Sequence, residues 1–359
     1  MPTILPAPQT VEIETADGVT LRCRRYRLPG ARAVLCGHGQ ASTGYEFDLP
    51  LAGFNLAEKL YRLGYEVWIM NFRGAGHPPW NSETDGWRNS GDQQGTLDLP
   101  AVVDRVVEET GQPPFYIGHS FGGMSLYIYL QGCVPDKEDP SRVVRDPEVA
   151  RERNSKVAAA LTAGSPVAMA GDVPDLLERL RTHRWTQAVM LRLERWLLRR
   201  AKTKPVVRIG SLSRRFGLRH PWLARVIMSS PLMNMYMRPK NMGAEACGLF
   251  GTWAGGDVTC LHMVQTLQTV RTGELTSIDP EGNRFLRYVE GMGNITTPLA
   301  AAAGSRDFMH SLDIKEKVLG AVSSSRTLFL PIIGCGHIDM LYYLPLTEIL
   351  GWMEWAASS

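Results

Sequence analysis

The first 166 residues alternate between short apolar runs and segments in which apolar residues recur every three to four positions. The second kind of segment predicts helices at 52–63, at 97–110 and directly after residue 123. The apolar runs predict strands at 11–15, 19–28, 33–39, 66–72, 114–118 and 156–166. Because Asp17-Gly18 separates the first two runs, they are expected to form an antiparallel hairpin.

The pattern changes at residue 167 and returns after Pro298. Residues 167–294 are rich in Arg, Trp and Met and have helical periodicity. Residues 298–305 and 326–335 then predict strands, and residues 346–357 predict a closing helix. Strands that alternate with helices are typical of a mostly parallel sheet with helices on both faces. The sequence therefore predicts an α/β core formed by 1–166 and 295–359, with residues 167–294 inserted as a helical cap or lid.

Composition narrows the class of protein. Of 359 residues, 44% are hydrophobic and 21% are charged, which is typical of a globular protein. The six scattered cysteines form no CxxC pair, so we expect free thiols in a reducing compartment and no metal site. The first residues resemble no signal peptide, and no apolar run approaches 18 residues. We therefore expect a cytoplasmic protein that needs no cofactor.

The net charge of +3 is unevenly distributed. Residues 172–240 contain 16 Lys and Arg against 4 Asp and Glu, so this segment carries +12 and the rest of the chain carries −9. Apolar residues lie on or near one helical face of 173–200, and arginines fill much of the remainder. The apolar positions of that face are Val173, Leu176, Leu177, Leu180, Ala188, Val189, Leu193, Trp196 and Leu197.

Two interpretations of this basic segment remain open. It is an amphipathic lid that contacts an anionic lipid surface or an acidic substrate, or it is a cap packed on the core with a solvated arginine face. A methionine-rich stretch follows, which suits either an adaptable acyl pocket or ordinary core packing, at Met228, Met233, Met235 and Met237. No nucleic acid partner is expected, because no interleaved aromatic pattern or known module accompanies the charge.

A G-x-S-x-G motif at Gly118–Gly122 lies directly after a predicted strand and before a predicted helix. A serine on such a sharp turn projects its hydroxyl over the edge of the sheet, and glycines are needed where side chains would collide. The motif therefore predicts Ser120 as a nucleophile. His119 is expected to be structural, because its ring points away from the hydroxyl of its own neighbour.

A serine nucleophile needs a base and an acid, which follow it in the chain order Ser, acid, His in this kind of sheet. His337 follows the last predicted strand and precedes the final helix, so it is the predicted base. Asp307 follows the preceding strand and is the predicted acid, which would hold the imidazole tautomer. Asp313 and Asp339 are the reserve candidates, whereas His310 lies too close to the acid in sequence.

An oxyanion requires two hydrogen-bond donors. The backbone N–H of Phe121, directly after the nucleophile, is one predicted donor. The other is the backbone N–H of Gln40, at the end of the third strand, where Gly39 permits close approach to an acyl carbon. His38, in the same loop, is expected to be structural.

Several segments together resemble the α/β-hydrolase lipases, particularly the acid lipase family with its gastric and lysosomal types. The resemblance covers roughly 30–135 and 296–357, and it rests on Asn71-Phe72-Arg73-Gly74, Asp98-Leu99-Pro100-Ala101, Thr110-Gly111-Gln112, Gly118-His119-Ser120-Phe121-Gly122 and Gly336-His337-Ile338-Asp339. It implies hydrolysis of an acyl ester, from a small molecule or a lipid, by the three residues assigned above. Residues 167–294 contain no motif that aligns with those lipases. The core is also similar to polyhydroxyalkanoate synthases, but their nucleophile is a cysteine.

Other functions share this framework. An acyltransferase or a thioesterase would use the same acyl-enzyme with a different acceptor, which the unaligned insertion would bind. A non-catalytic binding protein that kept the fold is a third interpretation, although it would commonly have lost one of the three residues. Dehalogenases and epoxide hydrolases of this fold use an aspartate at the position of Ser120, which argues against both activities.

Overall fold

An eight-stranded sheet forms the centre of the computed structural model, which describes residues 5–84, 86, 89–168, 182–230, 233, 236–307 and 314–358. The strands of the sheet are β1 Gln9–Glu14, β2 Thr20–Tyr26, β3 Ala33–Gly37, β4 Glu66–Asn71, β5 Phe115–His119, β8 Ala159–Ala163, β13 Leu299–Gly304 and β14 Thr327–Ile332. The strands β6 Cys133–Pro135 and β7 Val143–Arg145 form a separate antiparallel pair. The eight strands of the large sheet lie in the order β1-β2-β4-β3-β5-β8-β13-β14. β1 pairs with β2 and β2 with β4 in antiparallel fashion, and the other neighbours are parallel. The predicted hairpin and the mostly parallel sheet are therefore confirmed.

Helices cover both faces of this sheet. The described α-helices of eight or more residues, together with the shorter α1, are α1 Leu56–Arg62, α2 Leu99–Thr110, α3 Phe121–Leu130, α4 Pro147–Ser155, α5 Arg184–Ala201, α6 Ile209–Arg219, α7 Pro221–Met228, α8 Pro239–Leu249, α9 Cys260–Thr272 and α10 Leu346–Ala357. Successive side chains of a strand point to opposite faces. In β3, Ala33 and Leu35 pack with α2 and α3, whereas Val34 and Cys36 pack with α1 and α10.

The segment between β8 and β13 is mainly helical, as predicted, and contains α5 to α9. It also contains two short antiparallel strand pairs, which periodicity did not predict, because strands of two to four residues are too short to show alternation. They pair β9 Val206–Val207 with β10 Val258–Thr259, and β11 Thr276–Ile278 with β12 Arg284–Arg287. In the described part of the chain, every strand of the large sheet lies outside this segment. The boundaries 167 and 294 stay a prediction.

Several predicted elements are longer than the observed ones, and three of them show a local reason. The helix expected at 52–63 begins at Leu56, because the Asn55 side chain accepts a hydrogen bond from Glu58 N at 2.8 Å and caps it. The strand expected from residue 156 begins at Ala159, because α4 extends to Ser155. The strand expected at 326–335 ends at Ile332, and Gly334, at a φ of 81°, turns the chain away.

A buried ion pair connects two of the motifs on which the lipase resemblance rests. Arg73, after β4, donates through Nε to Asp98 Oδ1 at 2.6 Å, and both side chains are fully buried. The backbone N–H of Arg73 also donates to Asp98 Oδ2 at 3.0 Å. A further bond from Arg73 reaches Asp17 in the turn between β1 and β2. The start of α2 is thereby fixed against the end of β4.

The cysteines and the helices bear on two other expectations. All six cysteines are buried and unpaired, which confirms the prediction of free thiols. Among the residues that the structure describes, every helix is either too short or too polar to cross a lipid bilayer.

The turn between β5 and α3 packs against the end of β3 so closely that side chains are excluded. A Cβ on Gly122 would lie 2.1 Å from the carbonyl oxygen of Gly37, and one on Gly118 would lie 2.7 Å from Gly123 Cα. Tyr116, in β5, donates through its hydroxyl to Gly122 O at 2.8 Å and holds the turn in place. The glycines of the motif are therefore required by contacts with backbone atoms.

This contact predicts the effect of adding one methyl group. Gly122→Ala should destabilise the protein by about 2 kcal/mol or more, because backbone atoms cannot move aside as a flexible side chain can. Gly351→Ala is the matched control, since Gly351 lies in α10 with open space around it. The control should be neutral or more stable by up to about 1 kcal/mol. Urea denaturation followed by circular dichroism measures both changes, and equal midpoints for the two variants would contradict the close contact.

Candidate active site

Ser120 occupies the strained turn between β5 and α3. Its backbone has φ 50° and ψ −119°, a conformation that residues with a side chain rarely adopt. Three backbone hydrogen bonds hold it: Ser120 N donates to Ala163 O at 2.8 Å, and Gly123 N and Met124 N donate to Ser120 O at 3.1 and 3.2 Å. Such strain persists only where surrounding structure determines it, and it is common at functional sites.

The structure brings Ser120, His337 and Asp307 into one hydrogen-bonded line. His337 Nε2 lies 2.8 Å from Ser120 Oγ, and His337 Nδ1 lies 2.7 Å from Asp307 Oδ2. A carboxylate accepts only, so Nδ1 carries the imidazole proton and Nε2 is left to accept the proton of the serine hydroxyl. Asp307 and His337 are buried, and Ser120 is half-buried. This arrangement can transfer a proton from Ser120 to His337.

Parallel strands explain why residues so distant in sequence meet. Ser120, Asp307 and His337 follow β5, β13 and β14, whose carboxyl ends lie at the same edge of the sheet. In open α/β sheets this edge is where ligands bind.

The reserve acid Asp339 makes other contacts. Its Oδ1 accepts hydrogen bonds from Gly336 N at 3.1 Å and from Arg238 N at 2.8 Å, and its Oδ2 accepts one from Asn241 Nδ2 at 2.5 Å. Asp339 therefore connects the His337 loop to the inserted segment. Asp313 and His310 lie outside the described residues.

The two predicted oxyanion donors belong to the residue after Ser120 and to the residue after Gly39. Gly39 is so close that a Cβ on it would lie 3.1 Å from Ser120 Cβ. In the described part of the chain, neither Gln40 N nor Phe121 N donates to a protein acceptor. The Gln40 side chain is fixed from the inserted segment, because its Nε2 donates to His262 O at 3.1 Å and its Oε1 accepts from Thr266 Oγ1 at 2.8 Å.

Both histidines that were expected to be structural are buried and make defined contacts. His38 accepts a hydrogen bond from Phe72 N at 3.1 Å through Nε2 and contacts Gly39 O at 2.8 Å through Nδ1. Burial lowers the pKa of His38 below its ordinary value, although the Glu46 carboxylate opposes the effect. His119 contacts Glu46 Oε1 through Nδ1 at 3.2 Å and His337 O through Nε2 at 3.0 Å.

Two buried residues close to the site escaped the sequence analysis. Glu46, in the short 3-10 helix Gly44–Glu46, accepts hydrogen bonds from Gly39 N at 3.0 Å and from Ser42 Oγ at 2.5 Å. His262, in α9, packs edge-on against Phe121 with ring centroids 4.2 Å apart. Burial lowers the pKa of His262 to about 3, so it is neutral. Neither residue belongs to a recognisable motif, because Glu46 contacts His119 and His262 contacts Phe121 across long stretches of the chain.

The inserted segment also contacts the loop that follows Gln40. Ser42 Oγ lies 3.1 Å from Ala254 O, and Thr43 Oγ1 donates to Trp253 O at 3.0 Å. Gly256 N donates in return to Ala41 O at 2.8 Å. Together with the bonds of Gln40, these contacts make the insertion part of the wall beside Ser120.

The outer surface of the insertion is apolar and basic. On α5, Trp185, Val189, Leu193 and Trp196 are exposed, whereas Leu197 is buried. Leu197 differs from these four residues because it packs against Cys260 and Leu261 of α9. The exposed apolar residues continue on α6 and α7 at Ile209, Leu212, Leu218, Trp222, Val226 and Ile227.

The remaining apolar positions of the insertion divide as follows. Met237 is fully buried and packs with Leu49, Met242 and Phe250, with Met228 and Met233 beside this cluster, so these methionines belong to ordinary core packing. The predicted positions Val173, Leu176, Leu177, Leu180 and Met235 lie outside the described residues.

Comparison with known proteins agrees with this core. A family model described as the alpha/beta hydrolase fold matches residues 32–137. The lipase lipl-3 of Caenorhabditis elegans is 37% identical over 139 residues, and the gastric triacylglycerol lipase of Rattus norvegicus is 32% identical over 130 residues. The first match covers 33% of each chain and the second 32% of each, so the chain spans about a third of the length of these relatives.

The likeness extends over the whole chain when structures are compared. A soluble variant of monoglyceride lipase from Saccharomyces cerevisiae, in complex with a substrate analogue, matches 99% of this chain and 97% of that chain. The TM-score is 0.58 and the sequence identity is 14%, which is a likeness of fold. The chain therefore has the α/β-hydrolase fold and resembles the lipases that are built on it.

Proposed function

We propose that this protein is a serine carboxylester hydrolase that cleaves an acyl ester through an acyl-enzyme. The observation that carries the proposal is the hydrogen-bonded line from Ser120 through His337 to Asp307, at the strained turn after β5. The family model that matches residues 32–137 and the similarity to a lipase over 139 residues support the same chemistry. The cytoplasmic location and the boundaries of the cap stay predictions.

In the proposed first half-reaction, Ser120 Oγ attacks the acyl carbonyl carbon while His337 Nε2 accepts the hydroxyl proton. The tetrahedral intermediate collapses, the C–O bond to the alcohol breaks, and His337 returns its proton to the leaving alkoxide. Water then attacks the acyl-Ser120 ester with His337 again as the base, which releases the acid and restores Ser120. Asp307 holds the Nδ1–H tautomer and stabilises the imidazolium that forms twice in each cycle.

Charge that develops on the acyl oxygen needs fixed donors. The backbone N–H groups of Gln40 and Phe121 serve this role in the proposal, because both adjoin Ser120 and lack a protein acceptor within the described residues. The Gln40 side chain, fixed to α9, keeps its own backbone in place.

Labelling with a fluorophosphonate probe tests the nucleophile. The wild type should be labelled, and Ser120→Ala should not be, because the variant lacks the hydroxyl that lies 2.8 Å from His337 Nε2. Ser125→Ala is the control, since Ser125 lies in α3 five residues away and is fully buried. If the wild type is not labelled, or if Ser120→Ala is labelled equally well, the hydrolase proposal fails and the non-catalytic interpretation replaces it.

Kinetics on p-nitrophenyl esters of increasing acyl length test the rest of the assignment. Asp307→Asn should lower kcat by about 10⁴-fold, because the imidazole takes the wrong tautomer. Asp339→Asn, the reserve acid, should retain kcat within about tenfold. Adding an alcohol or a thiol to the same assay separates hydrolysis from acyl transfer. Product dominated by transfer at low acceptor concentration would replace the hydrolase proposal with an acyltransferase.

We further propose that the exposed face of α5 to α7 contacts an anionic lipid surface. Residues 182–228 contain twelve Lys and Arg against a single acid, Glu194, which is itself paired with Arg271. The face carries large apolar side chains among these cations, including Trp185 at 68% and Trp222 at 65% exposure. Apolar residues that enter the headgroup region, flanked by cations, are the composition of helices that lie on membranes.

Sedimentation with phosphatidylglycerol-containing vesicles tests this surface. The double variant Leu212→Ser and Trp222→Ser should bind at least about 100-fold more weakly, because burying two large apolar side chains contributes about 3 kcal/mol or more. Trp355→Ser is the matched control, since Trp355 is 57% exposed but lies in α10. Its binding should equal that of the wild type. If the double variant binds as well as the control, the membrane contact lies elsewhere or does not exist.

A further inference from the structure

Glu46 lies at the centre of a buried polar cluster behind Ser120. Its Oε1 accepts hydrogen bonds from Gly39 N at 3.0 Å and from His119 Nδ1 at 3.2 Å. Its Oε2 accepts one from Ser42 Oγ at 2.5 Å. The side chain of Glu46 is 1% exposed and that of His119 is 4% exposed, so water does not screen the pair.

The partners of His119 determine its protonation. Nδ1 faces a carboxylate oxygen, and Nε2 lies 3.0 Å from the backbone carbonyl oxygen of His337. An ionised carboxylate and a backbone carbonyl can only accept hydrogen bonds, so both ring nitrogens donate when Glu46 is ionised. An imidazole with two N–H groups is an imidazolium, and the contact between His119 and Glu46 is therefore an ion pair.

Electrostatics agree with this assignment. Burial alone would lower the pKa of His119, but the charge and hydrogen bond of Glu46 and the carbonyl of His337 outweigh it and raise the pKa. Burial alone would raise the pKa of Glu46, but His119 and Ser42 outweigh it and lower the pKa. Each partner thus favours the charged form of the other.

We propose that Glu46 and His119 are positioning residues, an ion pair that fixes the Gly39–Gln40 oxyanion loop and the His337 loop relative to each other. One end of the pair holds the N–H of Gly39, next to the Gln40 donor. The other end holds the backbone carbonyl of His337, the proposed base. The inference rests on the proposed hydrolase function, and it adds two residues that do not touch the reacting atoms.

The geometry explains why a carboxylate is needed at position 46. Two donors, Gly39 N–H and His119 Nδ1–H, share Oε1. A glutamine that keeps its oxygen there leaves the His119 charge uncompensated. If His119 instead becomes neutral with its proton on Nε2, its Nδ1 needs a hydrogen-bond donor. A glutamine that turns its NH₂ group towards Nδ1 no longer offers an acceptor to Gly39 N–H. Glu46→Gln therefore disturbs one side of the site in either orientation.

The charges around His119 come from several elements. Within the described residues, the titratable groups that face it are Glu46 in its 3-10 helix, His38 after β3, Asp307 after β13 and His337 after β14. The His119 and His337 rings lie with centroids 4.9 Å apart. Because His337 becomes cationic in the proposed reaction, an uncompensated charge on His119 would oppose it, and Glu46 supplies the compensation.

NMR of the full chain with ¹⁵N-labelled histidine tests the ion pair without any substrate. At pH 8, one histidine should show two protonated ring nitrogens, and His119→Asn should remove that signal and so assign it. Glu46→Gln should abolish the doubly protonated form at pH 8. Glu66→Gln is the matched control. Glu66, the first residue of β4, is also buried and forms an ion pair with Arg25 at 2.8 Å. The control should leave the His119 signal unchanged.

Kinetics test the positioning role. Glu46→Gln should lower kcat by roughly 10- to 100-fold with KM within about twofold, because a displaced oxyanion donor weakens mainly the transition state. Its kcat–pH profile should gain a titration that the wild type and Glu66→Gln lack. A conservative Glu46→Asp variant should recover part of the rate if the shorter carboxylate still reaches either donor.

The outcomes separate this proposal from the proposed function. A singly protonated His119 in the wild type at pH 8, or an unchanged kcat in Glu46→Gln, would overturn the positioning role while leaving the hydrolase intact. If no ester is cleaved by the wild type, the hydrolase proposal fails, and the positioning role fails with it even when the ¹⁵N spectrum shows the ion pair.

Discussion

The contact between the β5–α3 turn and the end of β3 is the constraint on which the site depends. Backbone meets backbone there, with no room for a Cβ on Gly122. This approach holds Ser120 at a positive φ and directs its hydroxyl away from the sheet. It also places Gly39 against Ser120 and so brings the Gln40 loop beside the nucleophile. The positions of the two proposed oxyanion donors therefore depend on the same contact between the β5–α3 turn and the end of β3.

Buried polar groups, rather than apolar packing alone, connect the insertion to the sheet. Gln40 binds α9, and Asp339 binds Arg238 and Asn241. Asp92, before α2, accepts hydrogen bonds from Gln265 Nε2, Ile278 N and Tyr288 Oη at 2.7 to 2.9 Å. Burial raises the pKa of Asp92 to about 6. Buried hydrogen bonds of this kind are directional, so they fix the position of a segment more narrowly than apolar contacts do.

Local patterns in the sequence were sufficient for the sheet and for the positions of Ser120, Asp307 and His337. Periodicity places strands and helices, and the carboxyl ends of parallel strands converge whatever the lengths of the connections. The structure places these three side chains within hydrogen-bond reach, while their catalytic roles remain predictions. The role proposed for Glu46 could not be predicted in this way. Its partner His119 lies 73 positions away, and no sequence motif links the two residues.

The solvent exposure of apolar side chains in the insertion was equally hard to predict from the sequence. The apolar stripe of α5 has the spacing of a buried face, yet Val189, Leu193 and Trp196 face outward and Leu197 faces inward. Helical spacing identifies an apolar face of a helix. It does not show whether that face packs against the rest of the protein or against a partner such as a lipid surface. The acid lipase resemblance gave no help here, since it does not extend into residues 167–294.

The bonds between Gln40 and α9 limit how this scaffold can exchange parts with its relatives. A recombination that replaced the insertion with a foreign one would keep the loop after β3 but lose the two anchors of the Gln40 side chain, His262 O and Thr266 Oγ1. The transplanted segment would have to supply a new acceptor and a new donor at the same place. Replacing only the outer helices α5 to α7 would leave both anchors of Gln40 in place, whereas replacing α9 would remove both.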